Sequence, residues 1–461
     1  MFSSIHSASS SASSSSSDYG FGTRLIHVGS EPDPITGAVI PPISLSTTFK
    51  QDAPGIYKGY DYSRSDNPNR NALERLLSSI ESGGGRALTF ASGSAATASL
   101  LQALGPNSHI ISIDDVYGGT NRYMRRVAAE VQALAVDFLD LANASDEQVL
   151  AAIRPDTKLI WVESPTNPTL RLVDLPRLAK LVKSTPARPL ILVDNTFLSP
   201  FYASPLKLGA DIVLHSMTKY VNGHSDVVMG ALVFPPPASN ARLDALYDRT
   251  KFIQNAFGAV PSAHDAWLLQ RGAKTLHLRM RAHGLNALTS PTRCLRSSQY
   301  FDRARHVVEQ SEGGSKLLAS LQRTNDPALE AGVPFGGVVS FWLRGGERET
   351  RRFLARLRLF ALAESLGGVE SLAEAPAVMT HASVPREQRE RLGISDGLVR
   401  LSDLLADVLQ ALEYAVQVDD EVFSSGSSVA GDQDSLPVST VATPPTAMTS
   451  VDSLALEEKK A

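Results

Sequence analysis

Between Asn71 and Phe234, short apolar and β-branched runs alternate with helix-period stripes, and this alternation constrains the fold more than any other feature of the chain. The runs 87–90 (ALTF), 109–114 (HIISID), 159–164 (LIWVES), 190–195 (LILVDN), 211–216 (DIVLHS) and 227–234 (VVMGALVF) have strand length. They are nearly continuous in apolar residues, as strands buried on both faces are. Ahead of the first run, Leu73, Leu76, Leu77 and Ile80 recur at i, i+3, i+4 and i+7, one helical stripe. Residues 119–131 and 145–153 read the same way. The fold class expected is α/β, a mostly parallel sheet flanked by helices. Ligands of such sheets bind beyond the carboxyl ends of the strands. That places Ser92, Asp114, Asn167, Asp194 and Ser216 beside a site.

The flanks differ in character. Residues 19–70 are rich in Pro, Gly and Ser and read as an extended N-terminal arm, followed by the larger domain over 71–272. A smaller α+β domain is expected over 273–421. Residues 241–288 are largely helical in pattern, 336–345 (GGVVSFWLRG) and 398–402 (LVRLS) read as strands, and 348–360 and 403–417 as helices. Eleven of the first seventeen residues are Ser, and 422–461 is poor in large apolar residues. Neither end can bury enough surface to offset chain entropy, so 1–18 and 422–461 are expected to be disordered. The serine tract has no Arg before Arg24, which favours a disordered extension over a transit peptide. With 44 basic and 48 acidic residues the net charge is −4, so no global basic field points to nucleic acid. Cys294 is the only cysteine, which rules out an intrachain disulfide framework and a cysteine-based metal cluster. No apolar run has the length of a membrane span. The reducing cytoplasm is the expected compartment, with no membrane or nucleic-acid partner and no metal.

The chemistry gathers at the strand ends. Lys219 follows a strand and two hydroxyl residues, Ser216 and Thr218. Partial burial there lowers a lysine's pKa and leaves an amine that can condense with a carbonyl cofactor. Asp194 ends the apolar run LILVD, where a carboxylate is costly unless paired, and a protonated ring nitrogen would pair it. Ser92-Gly93-Ser94-Ala95 opens a helix after ALTF, and exposed amides at a helix start bind phosphate. Tyr117 precedes Gly118-Gly119 and offers a ring to stack on a flat cofactor. Pyridoxal 5'-phosphate has all these parts. Taken singly, each residue has a plainer role: a surface lysine, a turn, a helix cap, a core tyrosine. Five cofactor-shaped groups at successive strand ends outweigh those readings. Ser216-Met217-Thr218-Lys219 also fits S-x-x-K and Ser65-Asp66-Asn67 fits S-D-N, but Lys274-Thr275 is followed by Leu276, so a penicillin-recognising site lacks its third part. No glycine-rich dinucleotide or nucleoside triphosphate motif is present.

At these residues the chain resembles the pyridoxal-phosphate enzymes of cysteine and methionine metabolism, most closely the fungal-type cystathionine γ-lyases among them. The stretches that carry the likeness include YSRSDNPNR (62–70), FASGSAATA (90–98), DDVYGGTNRY (114–123), ESPTNPT (163–169), VDNTFLSP (193–200), SMTKYVNGHSDVVMG (216–230), LAESLGGVESLAE (362–374) and LVRLS (398–402). The resemblance implies that Lys219 holds the cofactor and moves protons, Asp194 meets the ring nitrogen and Tyr117 stacks on the ring. It implies a phosphate site of Gly93, Ser94, Ser216 and Thr218, completed by Tyr62 and Arg64 from a neighbouring subunit. It also implies that Asn167, Ser365 and Arg400 hold the substrate α-carboxylate, with Arg64, Tyr117, Arg122 and Glu364 lining the substrate pocket. The implied reaction turns L-cystathionine into L-cysteine, 2-oxobutanoate and ammonia, in a homo-oligomer built from active pairs, with a tetramer expected. A γ-synthase that exchanges the γ-substituent, or an inactive relative, are the alternatives. Three departures from the pattern stand out: Asp66 where relatives carry Gly, the atypical stretch 289–334, and a shortened connection after Ser402.

Overall fold

Burial on both faces and parallel pairing make one feature of the structure, a computed structural model that describes residues 19–294, 301–305 and 336–402. The expectations for 1–18, 403–417 and 422–461, and for most of 289–334, lie outside the described residues. The N-terminal arm is less extended than its composition suggests. It holds a helix, α1 (Phe21–His27), and a small hairpin of β1 (Gln51–Ala53) and β2 (Ile56–Tyr57), and it runs into α2 (Pro68–Ile80). Asn67 caps α2 by accepting from Asn69 N at 2.9 Å, with Pro68 at the first helical position.

The central sheet has seven strands: β3 (Arg86–Phe90), β4 (His109–Ile113), β5 (Ala135–Leu139), β6 (Thr157–Glu163), β7 (Leu190–Asp194), β8 (Ile212–Ser216) and β9 (Gly230–Phe234). Their order is β3-β9-β8-β7-β6-β4-β5. All pairs are parallel except those of β9, which runs antiparallel to both β3 and β8. The α/β class expected from the sequence is the class observed. Alternate residues feed opposite faces: Ile212 and Leu214 join one buried cluster with Leu100 and Trp161, while Val213 joins another with Leu73, Leu77 and Met280. Two elements of this sheet differ from expectation. Strand β5 went unread because it is an edge strand, half-buried along its length and interrupted by Asp137. Strand β9 begins at Gly230 rather than at residue 227. Met229 spends its backbone on the preceding turn, accepting from Met217 N at 2.8 Å and donating to Thr218 Oγ1 at 3.0 Å.

Helices α3 (Gly93–Leu104), α4 (Gly118–Tyr123), α5 (Asp146–Ala152), α6 (Leu175–Ser184) and the short α7 (Ser199–Tyr202) connect the strands. The stripe at 119–131 is split: α4 passes into a π-helical turn over Met124–Ala129. After the sheet come α8 (Ala241–Phe257), α9 (Ala263–Ala273) and α10 (Leu276–Cys294). The smaller sheet has the order β10-β11-β14-β13-β12, from β10 (Phe301–Arg305), β11 (Val338–Leu343), β12 (Ala361–Leu362), β13 (Leu372–Glu374) and β14 (Leu398–Ser402). The atypical stretch 289–334 thus supplies an edge strand, β10, antiparallel to β11. The helix expected over 348–360 spans Glu347–Arg356, because the chain turns extended at Leu357 to enter β12. In the core of this part, Phe341 and Phe353 meet edge-on at 5.8 Å.

Candidate active site

The carboxyl ends of the central strands open into a cavity of about 310 Å³, walled on the other side by the 364–366 loop, Thr380 and Arg400 of the smaller sheet. Ser92, Gly93, Ser94, Tyr117, Asn167, Asp194, Ser216, Thr218, Lys219, Glu364, Ser365 and Arg400 all line it. Parallel strands end on one side, so the residues that follow them meet there. Asp114 is the exception among the strand-end residues named above. Arg171 draws it away at 2.8 Å and takes Asp140 at 2.7 Å as well.

Lys219 sits in the tight turn after β8, where its amide donates to Ser216 O at 3.2 Å. Its Nζ donates to Ser365 Oγ. Burial, reinforced by the charge of Arg400, pulls the amine down to about 8. Ser365 carries a φ of +96°, a strained conformation for a residue with a side chain. Asp194 ends β7 and accepts from Thr196 N at 3.0 Å and Thr196 Oγ1 at 2.6 Å. Burial pushes its carboxyl up, and among the described residues no cation forms an ion pair with it. The β6–β7 register sets Glu163 beside Asp194. Glu163 accepts from Tyr117 N at 2.9 Å, and burial followed by the charge of Asp194 raises its carboxyl well above the usual range.

The cradle opposite Lys219 is the start of α3. Ser92 caps it by accepting from Ala95 N at 3.0 Å, which leaves the amides of Gly93 and Ser94 ahead of the first intrahelical bonds. The cradle depends on β9: a Cβ at Gly230 would lie 2.4 Å from Ser92 O and 2.6 Å from Gly93 Cα. Tyr117 leans over Gly119, where a Cβ would lie 2.5 Å from its ring. Gly118 brings this turn against the smaller sheet's side, since a Cβ there would lie 2.5 Å from Thr380 O. At the far wall, Arg400 is 3% exposed. Its Nη1 donates to Asn167 Oδ1 at 2.8 Å and meets Glu374 Oε1 at 2.9 Å, while its Nη2 donates to Ser365 O at 2.7 Å.

Three expected site residues are not in this wall. Arg122 is exposed on α4 and donates to Ser383 Oγ at 3.3 Å. Tyr62 and Arg64 are exposed on the arm, with the Arg64 guanidinium 5.7 Å from the Tyr62 ring centre. Buried Arg70 fastens their backbone by donating to Ser63 O at 2.8 Å and Arg64 O at 3.2 Å. Conversely, Glu163, Thr196 and Glu374 belong to the site's fabric and went unread. Glu163 ends the run LIWVE and Glu374 closes LAESLGGVESLAE, yet only their cross-strand partners reveal what they do.

The residues present fit pyridoxal phosphate. Among the described residues the half-buried Asp194 carboxylate lacks a cationic partner, the α3 amides and two hydroxyl residues line the same cradle, and a lysine with a lowered pKa stands beside them. The family described as Cys/Met metabolism PLP-dependent enzyme matches residues 22–413. A cystathionine gamma-lyase of Dictyostelium discoideum is 47% identical over 404 residues, covering 86% of this chain and 98% of that one. The cystathionine gamma-lyase of Saccharomyces cerevisiae is 46% identical over 409 residues, with the same coverage. The solved structure of cystathionine gamma-lyase from yeast superposes with a TM-score of 0.78 at 44% identity, over 86% of this chain and 98% of that one. A cystathionine gamma synthase of Xanthomonas oryzae, solved in complex with cystathionine, gives a TM-score of 0.78 at 37% identity, over 87% of this chain and 99% of that one.

Proposed function

We propose that this chain, which belongs to the family of Cys/Met metabolism PLP-dependent enzymes, is a cystathionine γ-lyase. It splits cystathionine with water into cysteine, 2-oxobutanoate and ammonia. The observation that carries the choice of substrate is Glu364, an acid in the same cavity wall as Lys219 and Arg400. A substrate held at one end by Arg400 and carrying a second ammonium at the other suits that pair of opposite charges. Bound pyridoxal phosphate supplies an aldehyde for amines and a ring that takes up electron density from carbanions at Cα and then Cβ.

The chain's own residues then have these roles. Lys219 would hold the aldehyde, and its free amine, with a pKa of about 8, can both take and return a proton near neutral pH. Asp194 would face the ring nitrogen and Tyr117 the ring. Gly93 and Ser94 would offer amides to the phosphate, and Ser216 and Thr218 hydroxyls. Asn167, Ser365 and Arg400 orient the α-carboxylate, while Glu364 and Arg122 receive the distal amino-acid end. Tyr62 and Arg64 serve the site of a neighbouring subunit. The apolar side chains that the arm exposes support such an assembly: Ile35 is 91% exposed, and Leu45 and Val39 more than two thirds. Among the described residues, no helix is long and apolar enough to cross a membrane. A homotetramer working in the cytoplasm is the assembly and setting we assign.

Glu364 provides the test. Glu364 is exposed in the free site, so removing this charge partner costs ~0.2–1 kcal/mol, or roughly 1.5- to 5-fold in rate. Glu364→Ala should lose cystathionine cleavage by that factor more than homoserine deamination, because homoserine has no distal ammonium. The measurement is 2-oxobutanoate release from both substrates. Equal losses would remove Glu364 from substrate recognition. A wild-type protein that joins cysteine to an activated homoserine faster than it splits cystathionine would move the assignment to the synthase.

A further inference from the structure

Glu374 and Arg400 are cross-strand partners in the β13–β14 register, and both are almost wholly buried, at 1% and 3% exposure. A buried ion pair of this kind is held in place by its surroundings more than by its own attraction. Its geometry is lopsided. Glu374 Oε1 receives both Arg400 Nη1 at 2.9 Å and Thr380 Oγ1 at 2.9 Å. Oε2 has no partner among the described residues. Arg400 is meanwhile occupied at both ends of its fork, by Asn167 Oδ1 and Ser365 O as well as by Glu374. A substrate carboxylate therefore meets a guanidinium whose charge is already matched, and its arrival adds an unbalanced negative charge to a buried site.

We propose that Glu374 is the exchange partner of Arg400: it positions the guanidinium in the free enzyme and takes one proton onto Oε2 when a substrate carboxylate shares that guanidinium. The balance is simple. Carboxylate and proton enter together, the proton coming from solvent, and the site's net charge is unchanged. Burial pushes the Glu374 carboxyl up, and Arg400 is the strongest influence holding it down, followed by the Thr380 bond. Sharing Arg400 with a second carboxylate weakens that hold. The other groups facing Glu374 are Lys219, which also favours the ionised form, and Glu364, which favours the neutral one. The Tyr117 hydroxyl is raised by burial, and so stays protonated near neutral pH. Behind Thr380, His381 Nδ1 lies 3.0 Å from the Thr380 hydroxyl, and burial brings that imidazole down to about 4, so it is neutral throughout the relevant range.

The inference rests on Arg400 receiving the substrate carboxylate, as proposed above, and the test separates the two. The probe is butanoate, a carboxylate with no amine to react, titrated calorimetrically into the holoenzyme in buffers of different ionisation enthalpy. Wild type should take up about one proton per butanoate bound, and its Kd should rise about tenfold per pH unit while free Glu374 is ionised. Glu374→Gln should bind butanoate with no proton uptake and a pH-independent Kd across the same window. Zero proton uptake by wild type, with binding still lost in Arg400→Lys, would overturn the role of Glu374 alone. Uptake unchanged in Glu374→Gln would assign the proton to another group and overturn it too. Binding unaffected by Arg400→Lys would overturn the carboxylate site and the inference with it.

Discussion

At Lys219 the surroundings change what an ordinary side chain can do. With its amine at about 8 instead of 10.5, about 10% is neutral at pH 7, against ~0.03% for an unshifted lysine. The sign follows directly: raising pH from 7 through 8 frees the amine, and little is gained beyond about 9. Capture of added pyridoxal phosphate by the apoenzyme, followed by absorbance, should therefore accelerate several-fold between pH 7 and 8 and then level off. A rate still climbing tenfold per unit at pH 10 would mean that burial does not act on Lys219 as described. Residues of this type were legible in the sequence because each stands directly at the end of an apolar run: Ser92 after β3, Asp194 in β7, Lys219 after β8. Glu163 and Glu374 were not, because what each does depends on the strand beside it and not on its own run. For Glu163 the neighbour on that strand is Asp194, and for Glu374 it is Arg400.

Strands and helices were legible wherever burial is two-sided or a cap is explicit. The continuous runs of β6, β7 and β8 announce themselves, and so does α2 behind Asn67-Pro68. Edge elements are harder, since a half-buried strand such as β5 has no strict pattern to display, and β12 and β13 have only two and three residues. Contacts between elements carry consequences that no single element reveals. Glycine at 230 has an unremarkable place within a strand pattern, yet it is the floor on which the α3 cradle rests. Alanine there would push a Cβ to 2.4 Å from Ser92 O and force the backbone to move. At Gly93 a Cβ would meet Ser216 Cβ at 3.5 Å, an ordinary contact. Gly230→Ala should lower apoenzyme stability by ~1–3 kcal/mol in urea unfolding and weaken cofactor binding. Gly93→Ala should weaken cofactor binding with apoenzyme stability within about 0.5 kcal/mol of wild type. Equal stability of Gly230→Ala and wild type would show that the cradle does not depend on this contact.

For the molecule as a whole, the arm poses the sharpest question. Composition marked it as separate from the sheet, but its helix and hairpin were hidden because neither is long enough to show a period. The buried Arg70 spends its fork on the backbone of Ser63 and Arg64, so the segment carrying Tyr62 and Arg64 is fastened firmly while neither side chain lines this chain's own cavity. Lys251 ties the same segment to α8 through Asp66 at 3.8 Å, and α8 exposes Phe252 and Phe257. A rigid presentation of a cation and a tyrosine beside exposed apolar surface suits a second copy of the chain. If each chain lends Arg64 to its partner, neither Arg64→Ala nor Lys219→Ala can build a complete site alone. A mixed pair restores one site of its two, with Lys219 from one chain and Arg64 from the other. Random exchange of equal amounts makes half the dimers mixed, so activity should recover to about a quarter of wild type. The check is cystathionine cleavage before and after co-refolding, with subunit exchange verified by tagging one variant. Recovery absent from tagged, mixed dimers would place Arg64 in its own chain's service and remove the case for sites shared between subunits.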